Sequence, residues 1–482
     1  MADQLIHFGK LSLLYSDGFV RYIRAGEIEI IRNIYFALRD NNWATASIVR
    51  SDERISVTPK NFEIAYTATN VVDGEEVFRW YVKILGSENG EIDFAVDGEC
   101  LAPFNRNRAG ICVLHPIRET KNKPLHITRP DGSVYESRFP ALISPHQPFF
   151  DIRKMRWPLS DSVWAELQFE GDVFETEDQR NWADASYKTY GTPLSIPYPV
   201  MLKPGDKINQ RVKLSLINGD KLPASDLAED IEVTIDESKS NVFPKVENDP
   251  TSIIHLVLKS ADDWDQFASI RQPEIKTLAI SPADRKANFG ELLKIVLPKA
   301  RKSFPDTEIG AGFTTYFTEL NRNRFDYSDV DFVFYPVTPQ AHLVDLHTVI
   351  ENIPAQKDQL ESAKALAPGK KIHVGPVTLH DVPDRIAAGW MFGSIKYLAE
   401  GGADLVTMFD NGALVPLTKL KPKRVISSSC NEPMIISSLV IESESDQRHL
   451  ILVNHTASGK SVTVRDELYT LSEYEIRFIE LK

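Results

Sequence analysis

A chain of 482 residues has room for two to four domains at ~100 to 200 residues each, with ample core. Its formal net charge of -13 at pH 7 opposes a phosphate backbone and excludes nucleic acid as a partner, while 42% hydrophobic and 26% charged residues exclude a mostly disordered chain. Three scattered cysteines, Cys100, Cys112 and Cys430, exclude a disulfide framework; the lack of a signal-peptide pattern or of an apolar run of ~18 residues gives the expectation of a cytoplasmic protein without a membrane partner.

From residue 11 to about 218, short strand-like runs alternate with turn signals: SDG at 16–18, VVDGEE at 71–76, SENG at 87–90, RPDG at 129–132 and KPGD at 203–206. VFRWYVKIL (77–85), WAELQFEG (164–171) and KINQRVKLSLI (207–217) carry the period of two expected of half-buried strands. Residues 1–218 are therefore expected to form an antiparallel β-sandwich. Residues 219–250 turn polar and acidic and are expected to be a connection, with EVTID (232–236) as a possible strand.

After residue 250 the pattern changes. Six apolar runs, SIIHLVLK, IKTLAIS, EIGAGFTTYFTEL, DFVFYPVTP, KIHVGPVTL and DLVTMF, alternate with helical segments such as FGELLKIVLPKARKSF and IAAGWMFGSIKYLAEGG. That alternation predicts parallel β/α units over 251–425, a barrel of the eight-stranded kind. Two strands are missing from the count; they either hide in EVTID and VISSS (425–429) or the barrel is degenerate. Residues 426–482 return to short strands and are expected to form a small β domain.

Catalytic groups of such barrels sit where strands end, because only those loops converge on one cavity. TYFTELNRNR places Glu319 and Asn321 at a strand end, FVFYPVTPQAH delivers Tyr335 and His342, and LVTMFDNG ends with Asp410. Two carboxylates and an imidazole supply a general base, a charge stabiliser and a general acid; acidic helix caps and histidines satisfying backbone groups are the plainer alternative. A metal site built from Glu319, His342 and Asp410 would hold one histidine in three ligands, and no phosphate, dinucleotide, HExxH or GxSxG pattern occurs; no cofactor and no metal are expected.

The segment GDVFETEDQRNWADASYKTYGTPL (171–194) packs charges among aromatic rings. Arg180, Asn181, Trp182 and Lys188 are what a polyol or carboxylate ligand requires, an apolar plane with cationic donors beside it. The alternative is a packed aromatic core with an ion-paired turn.

SDGFVRYIRAGEIEIIRNIYFALRDNNW (16–43), FEGDVFETEDQRNWADASYKTYGTPL (169–194), FTELNRNR (317–324), DFVFYPVTPQAH (331–342) and VGPVTL (374–379) resemble the D-apionate lactonases of bacterial apiose breakdown. The resemblance implies three parts: a sandwich similar to those of sugar epimerases, a barrel distantly similar to glycoside hydrolases, and a small C-terminal β domain. It also implies hydrolysis of a five-membered aldonolactone, a small sugar lactone being the partner, with no implication for the number of subunits. The sequence departs from that pattern in its reduced early barrel units and in Asp410, where the family pattern is expected to end in Glu. With this reading Glu319 is expected to be the general base, His342 the oxyanion donor or acid and Asp410 the group that orients one of them. Asn321 and Tyr335 are expected to bind hydroxyls from the barrel side, and Asp178, Arg180, Asn181, Trp182 and Lys188 from the sandwich side. A glycoside hydrolase with a carboxylate pair and a non-catalytic carbohydrate-binding protein are the competing readings.

Overall fold

The computed structural model describes residues 3–222, 230–247, 253–269, 275–285, 288–408 and 412–481. The chain divides into two compact units, 1–178 with 186–229 and 179–185 with 230–482.

The first unit is built on two nine-stranded antiparallel sheets. Alternation explains strands such as Trp164–Glu170, which buries every second residue, so one face meets the core and the other meets water. Ile28–Asp40, by contrast, is buried along ten consecutive residues and forms a central strand of its sheet, paired with Phe104–Pro116. The two sheets close over one apolar core in which Phe36 and Trp80 meet with ring centroids 5.0 Å apart. Gly171 shows why the turn before Phe174 tolerates no side chain: its φ is +89° and a Cβ would lie 1.9 Å from the Asn209 carbonyl oxygen.

The second unit contains a seven-stranded sheet in which every neighbouring pair is parallel. Its order is Lys245–Glu247, Leu405–Met408, Lys371–Val377, Phe332–Val337, Glu308–Gly312, Thr277–Pro282 and Ile254–Leu258. Among the described residues helices follow six of these strands: Asp262–Ser269, Phe289–Ser303, Phe317–Arg322, Leu346–Glu351 with Ala355–Leu366, Asp384–Glu400 after Lys371–Val377, and Val415–Lys419 after Leu405–Met408. All six runs expected as parallel strands are present. The seventh, Lys245–Glu247, is a short polar strand from the segment expected to be a connection.

Neither EVTID nor VISSS completes the barrel. Ile231–Val242 and Pro422–Cys430 pair with each other, Val233 opposite Cys430 and Ile235 opposite Ser428, inside a separate seven-stranded sheet of the C-terminal residues. That sheet takes a strand from residues expected to link two domains, because a long-range register leaves no trace in a local apolar pattern. A second correction concerns EIGAGFTTYFTEL. Its strand stops at Gly312, and Phe317–Arg322 is a helix; a continuous apolar run does not distinguish strand from buried helix. Phe313 packs on Phe289 and Phe317 on Tyr335, so the aromatic residues of one run serve two elements.

Candidate active site

Glu319, Asn321 and Arg322 sit on the helix that follows Glu308–Gly312, one turn long and almost wholly buried. His342 lies in the segment after Phe332–Val337. Into the same second unit the chain inserts residues 179–185, a 3-10 turn at Gln179–Trp182 followed by Ala183 in left-handed backbone, φ 66°. This insertion brings Asn181, Trp182 and Asp184 to the barrel residues.

Asp184 Oδ2 and His342 Nδ1 are 2.6 Å apart. The other carboxylate oxygen, Oδ1, accepts from Asn352 Nδ2 at 2.9 Å; the same amide donates to the Pro339 carbonyl at 3.1 Å and accepts from Ala185 N at 2.9 Å. A carboxylate held at both oxygens fixes the imidazole: Nδ1 carries the proton toward Asp184 and Nε2 becomes the ring's acid/base atom. Trp182 meets His342 edge-on, centroids 5.4 Å apart, and the Arg322 guanidinium lies 5.2 Å over the Trp182 ring. Asn321 Nδ2 donates to Asn181 Oδ1 at 3.0 Å.

Glu319 is 7% exposed. Its Oε1 stands 3.5 Å from Arg285 Nη1, and its buried Oε2 has no hydrogen-bond partner among the described residues. The Tyr335 hydroxyl is likewise buried and without a partner among them, and burial pushes that phenol far above its usual range. Two polar atoms buried without partners each carry a desolvation cost of ~1 to 3 kcal/mol, the kind of cost a ligand relieves.

The other expected residues stand elsewhere or in other roles. Arg180 is fully buried, its Nη1 3.3 Å from Asp358 Oδ1 and its carbonyl accepting from Gln359 Nε2 at 2.8 Å. It anchors the inserted turn to Ala355–Leu366. Asp178 and Lys188 belong to the sandwich unit: Asp178 accepts from Ser144 N at 3.0 Å, and Lys188 is paired with Glu177 and lies 5.2 Å over the Tyr190 ring. Asp410 lies outside the described residues, and with it the carboxylate separation that distinguishes a glycosidase.

Sequence reasoning passed over Asp184, Arg322, Asn352 and Arg285. Asp184 had the only available signal, a carboxylate two residues beyond Trp182 in the segment already singled out. On the parallel sheet Phe332 stacks on His373 at 3.8 Å, beside a cavity of about 10 Å³ that His255 and Thr407 also line. Burial pulls the His373 imidazole down to about 3, so it is neutral. Among the described residues no group of three His, Cys, Asp or Glu could hold a metal ion, and no helix is long and apolar enough to cross a membrane.

The second unit brings an Asp–His pair and a Trp together after its parallel strands, the arrangement of a barrel-based hydrolase class. Residues 1–219 match the model of the D-apionate lactonase N-terminal domain and residues 261–381 that of the D-apionate lactonase TIM barrel domain. The D-apionate lactonase of Brucella anthropi is 28% identical over 440 residues, covering 77% of this chain and 72% of its own length. The chain belongs to the D-apionate lactonase family, and is an enzyme of the lactonase type. Among solved structures, a family 44 endoglucanase from Clostridium thermocellum is 11% identical with a TM-score of 0.33, covering 43% of this chain and 66% of its own. The galactose 1-epimerase of Lactobacillus acidophilus is 7% identical with a TM-score of 0.29, covering 45% and 99%. Likenesses this weak add nothing to the family assignment.

Proposed function

We propose that this chain opens a small sugar-acid lactone, D-apionate lactone or a similar five-membered aldonolactone, with a water molecule. Glu319 takes a proton from the water as its oxygen attacks the ring carbonyl. The tetrahedral oxyanion collapses, the ring C–O bond breaks, and the departing alkoxide takes a proton from Nε2 of an imidazolium His342. Glu319 then returns its proton to His342, and the product is the hydroxy acid, whose own proton is lost to solvent. Asp184 holds the imidazolium, the orienting role expected of Asp410. Asn181, Asn321 and the Tyr335 hydroxyl bind substrate hydroxyls, and Trp182 covers a C–H face of the sugar.

The observation that carries this reading is the Asp184–His342 contact at 2.6 Å, made between a segment of the insertion and a barrel loop. Its test is acid release from a panel of four- and five-carbon aldonolactones, at a pH where spontaneous opening is slow. Catalysed opening of one of them by the native protein supports the reading; spontaneous rates throughout, with saturable binding of the same sugars, favour a binding protein instead. The reading is of a cytoplasmic enzyme, to which the cysteines Cys100 and Cys112, buried as thiols, conform.

A further inference from the structure

The sandwich unit holds a second polar cluster that the ring-opening site does not use. Phe104–Pro116 carries a β-bulge that leaves Arg108 opposite Arg39 and Arg106 opposite Asp40, and both guanidinium groups lie within electrostatic reach of Asp172. Arg108 is 6% exposed. Its Nη1 donates to the Asn107 carbonyl, while Nε and Nη2 are buried and find no acceptor among the described residues; Arg106 Nε and Nη1 are in the same condition. No carboxylate forms an ion pair with either arginine among those residues. Buried guanidinium nitrogens without acceptors are costly, and fixed in-plane donors match the two oxygens of an oxyanion.

The surroundings narrow the ligand. The Arg108 guanidinium lies 4.6 Å over the Tyr198 ring and 5.6 Å over that of Trp43, two rings 5.2 Å apart. Trp43 is 43% and Tyr198 45% exposed, so the aromatic rim reaches solvent while the cation stays beneath it. Asp172 and Glu175 lie close enough to oppose the effect of burial, which lowers the Arg108 guanidinium. Both acids are served by their own donors: Glu175 by the Tyr190 hydroxyl at 2.5 Å and Leu194 N at 2.7 Å, Asp172 by Val173 N at 2.7 Å and Thr192 Oγ1 at 2.6 Å. Carboxylates at that range disfavour a dianion such as phosphate and accept from hydroxyl groups.

We propose that Arg106 and Arg108, with Trp43 and Tyr198 at the rim, form a binding site for a polyhydroxy carboxylate in the sandwich unit, separate from the ring-opening chemistry. The carboxylate takes the unpaired guanidinium donors, a C–H face of the carbon chain packs on the rings, and hydroxyls donate to Glu175 or Asp172. The site stands on these contacts whether or not the lactonase reading holds.

Titration calorimetry of the full chain with sodium gluconate tests it, against erythritol, acetate and inorganic phosphate. Saturable gluconate binding is expected, at least tenfold weaker in Arg108→Met and several-fold weaker in Tyr198→Ala, with turnover of any lactone substrate unchanged in both. Tyr198 is exposed, so its variant reports even if the arginine variant does not fold. Phosphate binding tighter than gluconate overturns the assignment of the ligand. Absence of gluconate binding, or equal affinity in the native protein and Tyr198→Ala, overturns the site. His342→Asn separates the two proposals: it should slow ring opening at least a hundredfold and leave the arginine-dependent binding intact.

Discussion

At the scale of single residues, the proposed chemistry rests on three side chains with different kinds of support. His342 is positioned by Asp184, and Asp184 by Asn352; Glu319 is placed by its helix and carries one oxygen without a partner. His342→Asn should lower kcat by ~10²- to 10⁴-fold, the range of a lost acid/base group, with little change in KM. Glu319→Gln should remove turnover while leaving the melting temperature nearly unchanged, because the amide fills the same space; retained turnover would take Glu319 out of the base role. The local patterns around Glu319, Asn321, Tyr335 and His342 were enough to single them out. Asp184 was not, since its partner lies 158 residues away and no spacing rule spans that distance.

At the scale of elements, the inserted turn is held by buried polar contacts instead of apolar ones. Asp358→Ala removes the carboxylate 3.3 Å from the buried Arg180 guanidinium, which should cost ~1 to 3 kcal/mol, as the loss of one partner of a buried polar contact does. It should also reduce ring opening, since residues 179–185 carry Asp184; urea unfolding and turnover measured on one preparation check both. Gly310 makes a similar point for the parallel sheet. A Cβ there would lie 2.2 Å from the Phe332 ring, so Gly310→Ala should destabilise by ~1 to 3 kcal/mol through overpacking, read as a lower urea midpoint. The parallel strands were legible because burial on both faces keeps strands such as Phe332–Val337 and Leu405–Met408 continuously apolar, while the less buried Ile254–Leu258 stood out by its aliphatic residues. Lys245–Glu247 was illegible at three residues, and the helix Phe317–Arg322 was hidden inside an apolar run.

At the scale of the molecule, the two units should respond differently to acid. Burial holds His373 at about 3 and His455 at about 4 in the second unit. Both stand below the unfolded value near 6.5, so below that pH the unfolded chain binds the extra protons. Stability is full above pH ~6.5 and falls by ~1.4 kcal/mol per pH unit for each histidine as pH drops toward the folded values. In the sandwich unit His115, at about 3, acts the same way. Glu119 acts oppositely there: burial, then the charge of Glu29, raises it to about 7, so the folded state binds the extra proton between pH ~4.5 and 7. The two nearly cancel in that window. Unfolding at pH 5 and pH 7, followed by a probe in each unit, should show the second unit losing stability while the sandwich stays level. The two-unit architecture was largely readable from the switch in hydrophobic period near residue 250. The strand exchange that sends Ile231–Val242 to the C-terminal sheet was not, because register is decided by partners distant in sequence.

The pairing of Asp184 with His342 is tested most directly by a double-mutant cycle on lactone opening. Asp184→Asn, His342→Asn and the double variant should all lose kcat heavily, and the double variant should be scarcely slower than His342→Asn alone, because a positioning group has nothing left to position. Full turnover in Asp184→Asn, or losses that multiply in the double variant, would contradict the account.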